Sequence, residues 1–176
     1  MRLRLFFLLV IALASGFAAA SSRDAEAGKP LAVAAPAGAP STPVERCPLP
    51  AKHRSAFEAA AADTDLPLAL LAAVAKVESN FEHDARSPAG AEGLLQVLPT
   101  TAAELELDSS HAEENVLAGA RYLRQMLDRF RSADLALAAY NAGPTAVERK
   151  GARPNDETVA YVRRVTDEWR ELVGCA

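Results

Sequence analysis

The residue in this chain whose type and placement most invite chemistry is Glu78. It closes the segment Leu68-Ala-Leu-Leu-Ala-Ala-Val-Ala-Lys-Val-Glu-Ser79, which reads as a helix with so little polar surface that it must be largely buried. Counting back three, four and seven positions from Glu78 gives Ala75, Val74 and Leu71, so the carboxylate lies on an apolar stripe while Lys76 points elsewhere. Desolvation disfavours the ionised form, and so does the negative end of the helix dipole in the last turn. Both raise the pKa. A carboxyl group kept protonated near neutral pH can deliver a proton to an oxygen that leaves a glycosidic carbon. Spacing alone also accommodates a solvent-facing glutamate at a frayed helix end.

Other reactive side chains are few. His53, His83 and His111 are too scattered for a shared metal or a nucleophilic triad and read as solvent-exposed polar residues; no metal and no cofactor are expected. Cys47 and Cys175 lie near the two ends of the folded part, and neither has a second Cys or a His in metal-ligand spacing. In an exported protein such a pair is expected to form a disulfide closing nearly the whole domain, worth about 4 to 5 kcal/mol by chain entropy, with two unrelated free thiols as the alternative.

Export is itself read from the first twenty residues. Arg2 and Arg4 precede the apolar run 5–14, and Ala18-Ala19-Ala20 offers a small-residue cleavage site, which makes 1–20 an expected signal peptide and Ser21 the expected mature start; a retained anchor is the alternative. Removing Arg2 and Arg4 leaves 17 basic against 23 acidic residues and moves the formal charge from −4 to −6. An acidic chain of this kind does not bind nucleic acid, or steer onto an anionic membrane, by bulk charge. Recognition must come from a shaped site. No stable membrane span is expected after signal cleavage, and localisation is expected in the periplasm, the cell wall or the medium.

Residues 21–46 are rich in Ala, Pro, Gly and Ser and are expected to be a disordered tether. The folded unit, 47–176, is long enough for one core and too short for two. β-branched runs are absent and apolar residues recur every three to four positions, so an all-α domain is expected. Helices are predicted at about 52–62, 68–79, from Pro99, and at about 112–131, 133–141, 145–149 and 156–173. A polar stretch with Pro88, Gly90 and Gly93 separates the second helix from the third.

Four groups of residues occur in a telling order: Glu78-Ser79, then Gly93-Leu-Leu-Gln-Val-Leu-Pro99, then Ala139-Tyr-Asn-Ala-Gly-Pro144, then Glu157-Thr-Val-Ala-Tyr-Val162. Together they resemble the motif set of the soluble lytic transglycosylase catalytic domain over about residues 60–170. The resemblance implies a lysozyme-like helical fold. It also implies a peptidoglycan lytic transglycosylase, an enzyme that cleaves the β-1,4 bond between N-acetylmuramic acid and N-acetylglucosamine in peptidoglycan glycan strands and leaves a 1,6-anhydromuramic end. Glu78 then matches the single catalytic acid that later acts as base, and Ser79 the residue that bonds it or the sugar. Gln96 matches a substrate-binding amide, Tyr140 a tyrosine approaching the carboxylate, and Asn141 a residue lining the glycan site. Glu157 and Tyr161 match a polar partner and part of the cleft wall; Gly93 and Leu98 have structural places at the cleft. Leu95 and Leu98 stand where the commoner motif has methionines, which preserves volume but loses the pliable thioether. Asp65-Leu66-Pro67, Asn115, Gly119 and Tyr122-Leu123 suit the family in structural roles. A monomer is expected.

Two rival activities remain at this level. A hydrolytic muramidase would want a second carboxylate some ångströms from the first, for which Glu82 and Asp84 in the following loop are the candidates, in a polar and solvated context. A non-catalytic glycan-binding envelope module would keep the fold without using Glu78.

Overall fold

The computed structural model describes residues 31–38, 47–149 and 155–174. The expected signal segment, most of the expected tether and Cys175 lie outside the described residues. Seven helices follow one another: α1 (Arg54–Thr64), α2 (Leu68–Ser79), α3 (Pro99–Glu104), α4 (Ala112–Phe130), α5 (Ala133–Ala142), α6 (Pro144–Arg149) and α7 (Asp156–Glu171). Among the described residues there is no strand, only isolated bridges that join Arg86 to Glu92 and Glu92 to Val97. The all-α reading and the helix set hold, with ends displaced by a residue or two.

The apolar segment that drew attention in the sequence is the centre of the molecule. Every residue from Ala69 to Ala75 is buried, because α2 is enclosed by α1 on one side and α7 on the other. Its alanines let those neighbours approach closely, while Leu70, Leu71 and Val74 fill the space between them. α4 packs on α1 and α5, and α5 in turn contacts α6 and α7. α4 and α7 are amphipathic; on α4 the apolar core face is Val116, Ala120, Leu123 and Leu127.

Helix ends are set by local chemistry. The Ser132 hydroxyl accepts from the Leu135 N–H at the start of α5, and the Asn155 side chain accepts from the Thr158 N–H at 2.8 Å at the start of α7. α2 stops because Asn80 takes the left-handed conformation (φ 52°) and its N–H turns back to the carbonyls of Ala75 and Lys76. Phe81 follows in the same region (φ 65°), so the chain leaves α2 at a sharp angle.

Two expectations meet a different surface. His53 is only 6 % exposed, because it opens α1 with both backbone groups engaged and its ring turned inward, 6.3 Å from the His83 ring. Its pKa is lowered first by burial and then by Lys52 and His83; the reading of exposed histidines holds for His111 but not for His53. Within the stretch expected to be tether, Leu31 and Val33 pack against the core. Arg124 Nη1 donates to the Leu31 carbonyl and Arg170 Nε to that of Ala37, each at 3.0 Å.

Candidate active site

Glu78 reaches the surface of the core through the last turn of α2, at the wall of a cavity of about 480 Å³. The other walls come from three places: the loop and α3 start (Ser87, Ala89, Ala91, Gln96, Val97, Leu98, Thr101), Tyr122 of α4, and the α5 end with the α7 start (Tyr140, Asn141, Ala142, Gly143, Glu157). Residues from four helices and one loop thus converge on one carboxyl group.

Burial pushes the pKa of Glu78 up to about 7 from its ordinary 4.5. Two weaker influences pull the other way, the hydrogen bond from Tyr161 and the positive charge of Arg164. The Tyr161 hydroxyl donates to Glu78 Oε1 at 2.7 Å. Tyr161 is itself 2 % exposed, and burial together with the neighbouring carboxylate holds its phenol well above the usual range, so it acts only as a donor. A carboxyl group still partly protonated near pH 7, with one oxygen held in place and the cavity beside it, is an arrangement suited to proton delivery.

The remaining residues singled out in the sequence divide into those facing the cavity and those behind it. Asn141 and Glu157 are exposed and line it, and Leu98, 41 % exposed, presents apolar surface to it. Gln96 also lines it; its two amide hydrogens are taken by the carbonyls of Ala85 (3.0 Å) and Gly93 (2.9 Å), which leaves Oε1 as its acceptor for other partners. Tyr140 lines it with its ring packed on Tyr122 at 5.4 Å, while its hydroxyl donates to the Leu95 carbonyl at 2.7 Å. It is Tyr161, therefore, that bonds the carboxylate, and Tyr140 that braces the loop.

Ser79 lies behind the wall. It is buried, and its hydroxyl meets the carbonyls of Ala75 (3.1 Å) and Leu94 (2.8 Å), so it joins the end of α2 to the loop instead of bonding Glu78. Gly93 is likewise behind the cavity: at φ 77° a Cβ would sit 2.4 Å from Asn115 Nδ2, which excludes any side chain. Asn115 is fully buried; it binds the loop through Leu95 N and Glu92 O, and the segment before α4 through Ser109 O.

Glu82 and Asp84, the candidates for a second carboxylate, are both exposed and neither lines the cavity that holds Glu78. Both follow the left-handed turn at Asn80 and Phe81, and the loop lines the cavity only from Ser87 onward. The carboxylate that does share the cavity is Glu157. Sequence reasoning missed Ser87, Ala89, Ala91, Thr101 and Tyr122 as lining residues; the turn signals at Pro88 and Gly90 marked the loop without showing which side faces inward.

Residues 55–161 match the profile of the transglycosylase SLT domain. The chain belongs to the transglycosylase SLT domain family. Membrane-bound lytic murein transglycosylase F 2 of Alkalilimnicola ehrlichii is 33 % identical to this SLT chain over 129 residues, which is 69 % of the chain and 28 % of that protein. Among solved structures, an inactive mutant of the lytic transglycosylase Slt from Pseudomonas aeruginosa superposes with a TM-score of 0.59 at 32 % identity, covering 69 % of this chain and 24 % of that one. The 70 kDa soluble lytic transglycosylase of Escherichia coli gives 0.60 at 25 % identity, over 70 % and 25 % respectively. The SLT chain thus spans about a quarter of the length of these relatives. No described helix is long and apolar enough to cross a membrane.

Proposed function

We propose that this SLT domain cleaves the β-1,4 bond between N-acetylmuramic acid and N-acetylglucosamine in peptidoglycan without adding water. The observation that carries the reading is a half-buried Glu78, with a pKa of about 7, held by Tyr161 at the wall of an open cavity. The phenol occupies Oε1 and leaves Oε2 to carry the proton. That proton passes to the glycosidic oxygen as its bond to the muramic anomeric carbon breaks. The muramic 6-hydroxyl then attacks the same carbon, and its proton returns to Glu78. Atoms balance without water, the enzyme ends as it began, and the product is a 1,6-anhydro sugar. Gln96 Oε1, Asn141 and Glu157 are the polar groups offered to the glycan, and Leu98 with the Tyr122 and Tyr140 rings the apolar ones.

Digestion of purified peptidoglycan followed by product masses tests this directly. Muropeptide ends one water lighter than reducing ends are expected; reducing ends alone would replace the reading with hydrolysis. Glu78→Gln is expected to bind glycan and to lack turnover, and full activity in that variant would remove Glu78 from the chemistry. The relatives named membrane-bound support an envelope location after export. A bridge from Cys47 to Cys175 is part of the same proposal. Cys47 is buried, and Pro48 beside it shares one groove with Leu172 near the other end of the domain.

A further inference from the structure

The loop between α2 and α3 has two sides, one facing the cavity of Glu78 and one facing away from it. Glu92 is bridged to Arg86 in one direction and to Val97 in the other. Side chains alternate along extended backbone. Ala91 accordingly lines the cavity of Glu78, whereas Glu92 lies on the opposite side in a polar cavity of about 70 Å³ with Arg86 and Ser109. The Glu92 side chain is 9 % exposed. Its Oε2 pairs with Arg86 Nη1, and its Oε1 accepts from Ser109 Oγ at 2.6 Å. Its backbone N–H and carbonyl both bond Val97 at 3.0 Å, and the carbonyl also accepts from Asn115 Nδ2 at 2.8 Å.

A carboxylate this deeply placed persists only where partners replace its hydration. Because those partners come from the loop itself and from the segment that leads into α4, Glu92 fastens one to the other. The cleft-facing residues hang from this point. Ser87 and Ala91 are tied together by Ser87 N to Ala91 O (2.9 Å) and Ala91 N to Ser87 Oγ (3.0 Å), directly beside Glu92. Gln96 has a positive φ of 45° and precedes Val97, the residue that Glu92 clasps. Such a conformation is held only when its surroundings over-determine it.

We propose that Glu92 is a positioning residue: its carboxylate, gripped by Arg86 and Ser109 on the far side of the loop, fixes the edge that presents Ser87, Ala91 and Gln96 to the glycan. This rests on reading the cavity as the glycan site. Glu92 touches no part of that cavity, so its loss should loosen substrate binding and leave the proton chemistry of Glu78 as it is.

The test uses the full chain with a soluble glycan fragment. Glu92→Ala is expected to raise KM about tenfold with kcat within about threefold of wild type and an unshifted pH profile. Amide exchange should quicken over 86–97 and stay slow over 69–75. Glu92→Gln, which can still accept from Ser109, should fall between the two, and Ser109→Ala should resemble it. Wild-type KM with unchanged loop exchange in Glu92→Ala would overturn the proposal, as would a uniform loss of protection across all helices. Should Glu92→Ala fail to fold, Glu92→Gln and Ser109→Ala carry the same readouts. If wild-type protein leaves the glycan intact, the functional reading fails separately, and loop exchange still decides whether Glu92 is the clamp.

Discussion

Burial makes the ionised form of Glu78 costly to the folded state, and that cost has a sign that can be measured. Its folded pKa, about 7, lies above its ordinary 4.5, so the native protein holds a proton that the unfolded chain has released between those values. Stability from this group is complete below about pH 4.5 and is lost as pH rises through about 7. The full loss is on the order of 3 kcal/mol. Glu78→Gln has no charge to bury, so its stability advantage over wild type should grow between pH 4.5 and 7 and level off above; parallel urea melts across that range check it, and a constant difference would contradict it. Tyr161→Phe removes a bond that favours the ionised carboxylate, so the alkaline limb of kcat should move to higher pH while kcat falls for want of orientation. The position of Glu78 on an apolar stripe was legible from three-and-four spacing. Its partner was not, because Tyr161 lies 83 residues away on α7 and only packing of α2 against α7 brings the two together.

Elements divide by how local their causes are. α2, α4, α5 and α7 could be read from periodicity and caps, since each follows from residues within one or two turns. The loop 80–98 could not. Its path depends on left-handed residues that are not glycine, namely Asn80, Phe81 and Gln96, and on polar contacts from Ser109 and Asn115 far along the chain. Tyr140 and Ser79 illustrate the same limit: both were tied to the site by motif, yet both use their hydroxyls on carbonyls of this loop, at Leu95 and Leu94. Asn115 is where the element is most exposed to damage. Asn115→Ala leaves Leu95 N–H without its partner and takes a donor from the Glu92 and Ser109 carbonyls, all in buried surroundings. A loss of about 3 kcal/mol or more is expected in denaturant melts. Activity should fall further than the folded fraction does, because the loop supplies one wall of the cleft. Wild-type stability in this variant would show that the loop holds its shape without α4.

At the scale of the whole molecule, the two ends of the domain meet on the side formed by the start of the fold and the end of α7. Cys47 is 3 % exposed, Arg54 Nη2 donates to its carbonyl at 3.0 Å, and Pro48, Pro50 and Leu172 line one groove. Composition and compartment suggested a bridge from there to Cys175, which lies outside the described residues. A crosslink between positions 47 and 175 closes nearly the entire domain, the case in which restricting the unfolded chain stabilises most, by about 4 to 5 kcal/mol less any strain. It would also bind α7, and so Tyr161, to α1 and α2 at the end of the helix opposite the active site. Native protein denatured without reductant should therefore take up no alkylating agent, and reduction should lower Tm by on the order of 10 °C. Cys47→Ser should melt with the reduced protein, and adding reductant to that variant should change nothing further. Two alkylated thiols in unreduced material would remove the bridge, and the termini would then be held by noncovalent packing alone, where Pro48 and Pro50 share a groove with Leu172.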